Sequence, residues 1–284
     1  MYPANGYGTV GRDSSHDVSA IAASGNELDP LLAKNRASAS LTHFQKYLKD
    51  DIDRRWADLL LLLSYVITGL LDSSAVFIWG SFVSMQTGNT VYLGLGLVNP
   101  TQGTRWIRSL TSIGFFCFGS FCFSRFHRYF SPKRRWVLLA SFAGQLLLVV
   151  AAGIIVTIDN GEGGDIRWEV LAPIALVAFQ SSGQAVTSRA LQYSSLTSVV
   201  LTSIYCDLFS DPLIMAGLAQ NPERNRRTAA PLLLLTGAIF GGLWAHSSVG
   251  LAGALWTAAV LKIAIILAFF FWRAETVAER RGED

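Results

Sequence analysis

The stretch S-M-Q-T-G-N-T-V-Y-L-G-L-G-L at 84–97 decides how this chain is read. It lies inside an apolar region, yet its centre is Gln86-Thr87-Gly88-Asn89-Thr90. Lipid offers no hydrogen-bond partners, so backbone that leaves the helix at membrane depth must be buried in protein or line a wet cavity. Gly88 permits such a break. The Gln, Thr and Asn side chains can satisfy the freed backbone groups.

The surroundings make lipid the relevant solvent. Hydrophobic residues make up 51% of the chain and charged residues 15%, against roughly one quarter charged in soluble domains. The deficit is uneven. Residues 1–57 hold many of the charges, and 58–272 form a series of apolar runs, each near the ~20 residues that cross a bilayer. The expected organisation is a polar N-terminal tail over 1–57, a transmembrane domain over 58–272 and a short tail over 273–284. The first 40 or so residues cannot bury enough apolar area to offset their ordering entropy, so disorder is expected there. The opening M-Y-P-A-N-G-Y-G lacks the basic and apolar regions of a signal peptide. Leu41, Phe44, Leu48, Ile52 and Trp56 recur at helical spacing among Lys46, Lys49, Arg54 and Arg55. This pattern predicts a short amphipathic interfacial helix near 41–57, or a solvated extension of the first span.

Eight apolar segments follow, at about 58–79, 82–98, 105–126, 136–158, 169–190, 195–218, 228–247 and 250–272. Pro173 and Pro231 are expected in loops or first helical turns. Charge decides which segments cross. Four clusters are basic: Lys46 to Arg55, Arg125 to Arg135, Arg224 to Arg227, and Arg273 to Arg281. The 159–169 loop is acidic. If the second and sixth segments enter and leave on one side, all four basic clusters face the cytoplasm, and so do both termini. Arg105 and Arg108 are the exceptions. The predicted fold is therefore all-α: a polytopic transmembrane helix bundle with six spans plus two broken or re-entrant segments. Its halves, about 58–158 and 169–272, would be two inverted repeats, as in many secondary transporters.

The motif G-L-L-D-S-S-A (69–75) followed by V-S-M-Q-T-G-N-T-V (83–91) resembles the signature of the domain-of-unknown-function family 1275 (DUF1275), the YoaK-like multi-pass membrane proteins. That family pairs an early G-x-x-D-A and T-G-N with a later G-x-Q-N-A and T-G-T. The first half matches at Gly69, Asp72, Thr87, Gly88 and Asn89. The second half departs: S-S-G-Q-A-V (181–186) stands for the G-x-Q-N-A, and Thr202-Ser203 for the second Thr-Gly. The resemblance covers roughly 58–272 and implies an integral membrane protein without an assigned activity.

The candidate solute or ion pathway comprises Asp72, Gln86, Thr87, Gly88 and Asn89 from the first half, and Gln180, Gln184, Thr202 and Asp207 from the second. An intramembrane carboxylate such as Asp72 costs about 2.5–3.5 kcal/mol on insertion scales, so it should face protein or water. Its alternative role is to cap a neighbouring turn. Asp207 or Asp211 is read as a cap beside Pro212. Lys262, mid-span in the last segment, needs a deep carboxylate partner such as Asp72 or Asp207; otherwise its stem snorkels to the interface. Gly237-x-x-x-Gly241 and Ser120-x-x-x-Ser124 are read as close-packing pairs. His127 falls in the basic loop and His246 stands alone. No metal-ligand spacing, phosphate loop or nucleophile motif is present, so no metal, cofactor or catalytic residue is expected, and the chain is not read as an enzyme. The basic runs are explained by membrane topology rather than nucleic acid.

Two function classes remain open. One is a small-solute or ion transporter with a polar site at the midplane. The other is a non-transporting scaffold, lipid-binding or sensing protein that acts through its tail.

Overall fold

The structure, a computed structural model, describes residues 42–43, 45–53, 57–101, 103–159, 166–193 and 196–273. The expected tail disorder and the end of the chain beyond Arg273 lie outside the described residues. Residues 1–48 and 49–284 form two separate units. In the first, residues 42, 43 and 45–48 are helical.

The second unit is built of eight helices among the described residues: α1 (Ala57–Trp79), α2 (Gln86–Val98), α3 (Arg105–Phe130), α4 (Arg135–Ile158), α5 (Trp168–Ala190), α6 (Thr202–Phe209), α7 (Pro222–Ala245) and α8 (Gly250–Phe270). Helices α1, α3, α4, α5, α7 and α8 are long and apolar enough to cross a membrane. Helix α2 has 13 residues and α6 has 8. At a rise of 1.5 Å per residue, α2 reaches only about 20 Å of a ~30 Å hydrocarbon core.

Helix α1 packs most extensively on α7, and α3 on α5. The α1–α7 contact is close because it is glycine-lined. A Cβ on Gly237 would lie 2.0 Å from the Val66 carbonyl oxygen, and one on Gly241 would lie 2.3 Å from that of Leu70. The Ser74 hydroxyl donates to the Gly241 carbonyl at 2.9 Å. Residues 66 and 70 thus meet 237 and 241, and the two helices run parallel. The Arg226 guanidinium, on the first turns of α7, pairs with Asp58 at the start of α1.

The segments at 51–53 and 272–273 converge at one end of the bundle. The N–H of Ile52 donates to Lys133 O and that of Asp53 to Arg273 O, both at 3.0 Å. Asp51 and Arg134 form an isolated β-bridge, and the Arg135 guanidinium donates to Trp272 O. This corrects the helix expected near 41–57. Helical conformation stops at Lys49, because the next backbone donors are committed to the α3–α4 turn and to the end of α8. Fully buried Ile52 pins the segment there.

Helix α3 starts where α1 stops. Arg108 donates to the Trp79 carbonyl at 2.6 Å, and Arg105 donates to that of Gly80. The two arginines at odds with the charge pattern therefore satisfy carbonyls left open at the end of α1. Pro173 and Pro231 lie inside α5 and α7 rather than at their starts. Helix α7 begins earlier than its apolar run, because Asn221 accepts from Arg224 N–H and Pro222 takes the first helical position.

Candidate functional site

The site grows from the interruption between α1 and α2. Gly80 turns the chain at φ +71°, in the left-handed region that favours glycine. Residues 80–85 are not helical, so their N–H groups need partners from elsewhere. Asp72 supplies them. One carboxylate oxygen accepts from Val83 N–H at 2.8 Å and Ser84 N–H at 2.9 Å, and the other accepts from the Ser84 hydroxyl. Asp72 is only 3% exposed, and its three donors counter part of the cost of taking a carboxylate out of water. It therefore caps the unwound segment that follows α1, which is the turn-capping role read as the alternative to a pathway role.

Asn89 closes the same segment from the other side. Its Oδ1 accepts from Phe82 N–H at 3.0 Å. Its Nδ2 reaches Phe82 O at 2.8 Å, Gln86 Oε1 at 2.9 Å and Ser112 Oγ on α3 at 3.1 Å. Gly88 does not make the break. It lies in the first turn of α2, where a Cβ would meet the Phe82 ring at 2.6 Å. The break precedes T-G-N, because Asp72 and Asn89 stabilise unwound backbone at 80–85.

A cavity of about 870 Å³ opens beside this turn, between α3 and α5. Ser84, Gln86 and Thr87 reach it from the break, Ser124 and Arg128 from α3, and Arg189 from α5. Ser120 and Ser124 line this space rather than packing helices together. The close approach of α3 to α5 is made by Gly119, whose Cβ would lie 2.8 Å from the Phe179 carbonyl oxygen.

His127 also lines the cavity, buried in the last turn of α3 rather than in a loop. Its Nε2 lies 3.3 Å from both Ser141 Oγ and Thr187 Oγ1. Ser141 accepts from Gln145 at 3.4 Å, and Gln145 Oε1 accepts from Lys262 Nζ at 2.9 Å. Lys262 donates equally to Gln184 Oε1 at 2.8 Å. The Gln184 amide then reaches Thr68 Oγ1 and Ser198 Oγ, each at 3.3 Å. A polar seam thus joins α8, α4, α5 and α1 inside an otherwise apolar bundle.

Lys262 is 0% exposed and does not snorkel. Its partners are two amide oxygens, not Asp72 or Asp207. Of the other second-half candidates, Gln180 is buried and donates to Ser181 Oγ at 2.9 Å. Thr202 and Asp207 are exposed on α6 and do not join the seam. The reason is the short helix itself: Ile204 and Leu208, one turn apart, face inward and leave Thr202 and Asp207 outside. Sequence reasoning missed Gln145, Ser141 and Ser198. A lone amide in the run A-S-F-A-G-Q-L-L-L-V-V (140–150) was the available signal for Gln145.

Asp211 is the cap beside Pro212. Its Oδ2 accepts from the Asn221 amide at 3.0 Å, and its Oδ1 accepts from Leu213 N–H at 2.8 Å. The Asn221 bond, then the Leu213 N–H, then Arg227 and Arg224 hold its carboxyl below the usual carboxylate range.

Fold and site together define a polytopic membrane protein with buried polar groups. Residues 60–268 match the family described as Protein of unknown function (DUF1275), and the chain belongs to that family. Neither a curated protein nor a solved structure matches it.

Proposed function

We propose that the chain is a small-solute or ion transporter built from two inverted halves, with both termini cytoplasmic. The observation that carries this reading is the packing pattern. Exchange α1–α4 with α5–α8 and the major helix pairs are preserved. The α1–α7 pair becomes α3–α5, α1–α8 becomes α4–α5, α2–α3 becomes α6–α7, and α3–α4 becomes α7–α8. The α1–α5 and α4–α8 pairs map onto themselves. Each half has three helices long enough to cross and one that is too short. Three crossings per half set the second half upside down relative to the first. The return of α3 to the end of α1 supports α2 as a re-entrant helix.

The self-mapping pairs carry the polar seam. Lys262 to Gln145 joins α8 to α4, and Gln184 to Thr68 joins α5 to α1. Polar groups at the meeting of two repeats are where transporters of this architecture hold solute. The two major crossings also differ. The α3–α5 crossing opens into the cavity. The α1–α7 crossing is shut by its glycine contacts and, at the matching end, by Phe77 against His246 with ring centroids 4.4 Å apart. Interchanging these two arrangements would move access from one face to the other.

Filling the cavity tests this reading. Ser124→Trp should abolish movement of a solute that wild-type proteoliposomes take up from a mixed pool, with an unchanged unfolding temperature. Full uptake by the filled variant would contradict it. Loss of function on deleting residues 1–40, with Ser124→Trp fully active, would favour the tail-based scaffold or sensor instead.

A further inference from the structure

We infer that the cavity binds an anion, a small molecule bearing a phosphate, sulfate or carboxylate group. Arg128 and Arg189 face it from α3 and α5, and neither makes an ion pair among the described residues. No Asp or Glu lines it among the described residues. Buried His127 also lines the cavity. Both arginines are exposed, and an anion entering the cavity gains charge-assisted hydrogen bonds from the two guanidiniums with no carboxylate competing for them there.

The remaining walls suit the same ligand. Ser84, Thr87 and Ser124 supply hydroxyls. Helix α2 starts at the cavity without a side-chain cap, and the positive end of its dipole favours a negative group there. Asp72 lies behind Ser84, outside the cavity wall, where it accepts from Val83 N–H, Ser84 N–H and the Ser84 hydroxyl.

This names the solute class for the transport reading. It rests on that reading for movement, not for binding. The test is thermal unfolding of the purified full chain in phosphatidylcholine nanodiscs, with inorganic phosphate, sulfate or citrate added at matched ionic strength. At least one anion should raise the unfolding temperature of the wild type. Arg128→Gln and Arg189→Gln should each weaken that anion by roughly tenfold, with Arg128→Lys and Arg189→Lys in between. Arg125→Gln, on α3 but outside the cavity wall, should bind as wild type.

A rise produced only by phosphatidylglycerol in the disc, and lost with the two arginines, also supports the site and identifies its anion as a lipid headgroup. No rise with any soluble anion or anionic lipid overturns the inference, as does a rise that survives in the double Gln variant. Arginine-dependent binding of an anion that proteoliposomes never move would keep the site and remove the transport reading.

Discussion

Lys262 donates to Gln145 and Gln184 from a position with no access to water. Removing it strands two buried amide oxygens, at about 1–3 kcal/mol for each. Lys262→Met should therefore lower the unfolding temperature clearly, and adding Gln145→Leu should recover part of the loss, because one stranded acceptor disappears. An unchanged temperature for the single variant would mean that the seam does not hold the helices together. Asp211 gives a pH signature at the same scale. Its folded-state pKa is depressed, so its contribution is present above the ordinary carboxylate value near 3.9 and is lost as pH falls through the lowered value. Proteolysis in the 211–221 turn should be slow at neutral pH and speed up only in strong acid. Asp211→Asn should be cut readily at neutral pH. Sequence alone pointed to Asp72 and Asn89, because a polar group in an apolar run has to be satisfied somewhere. It could not name the partners of Lys262, since they come from α4 and α5 and share no local motif with it.

The contrast between two glycines of α7, Gly237 and Gly242, is decisive at the scale of elements. A Cβ on Gly237 would collide with the α1 backbone, whereas one on Gly242 has nothing within 4 Å. Gly237→Ala should cost about 3 kcal/mol or more, since a backbone carbonyl cannot move aside as a side chain can. Gly242→Ala should be neutral or stabilising by up to ~1 kcal/mol, through helix propensity. Equal behaviour of the two variants in thermal unfolding would contradict the parallel α1–α7 contact. Lengths of apolar runs made the six long helices and the two short segments legible. The position of the break was less so. T-G-N looks like the interruption, but Asp72 and Asn89 hold the unwound backbone ahead of it, and that support is visible only in three dimensions. The fate of 195–218 was hidden in the same way. Among the described residues there, only Thr202–Phe209 is α-helical, and its apolar pair turns the expected polar candidates outward.

For the whole molecule, the inverted architecture requires that α2 and α6 return to the side they came from. Hydrogen bonds already gather residues 51–53, 133–135 and 272–273 at one end of the bundle. The acidic end lies at the far side of α4, where Arg167 pairs with Asp159 at 2.9 Å. Charge bias then assigns the basic end to the cytoplasm. The most direct measurement is side-specific labelling of single cysteines in sealed membranes, in a background lacking Cys117, Cys122 and Cys206. Lys49, Thr101, Ser131, Ile166 and Gln220 are all exposed positions for it. Cysteines at 49, 131 and 220 should label only from the cytoplasm, and those at 101 and 166 only from the opposite face. Labelling of 49 and 131 from opposite faces would mean that α2 crosses. Labelling of 131 and 220 from opposite faces would mean that the α6 segment crosses, and either result would contradict the inverted architecture.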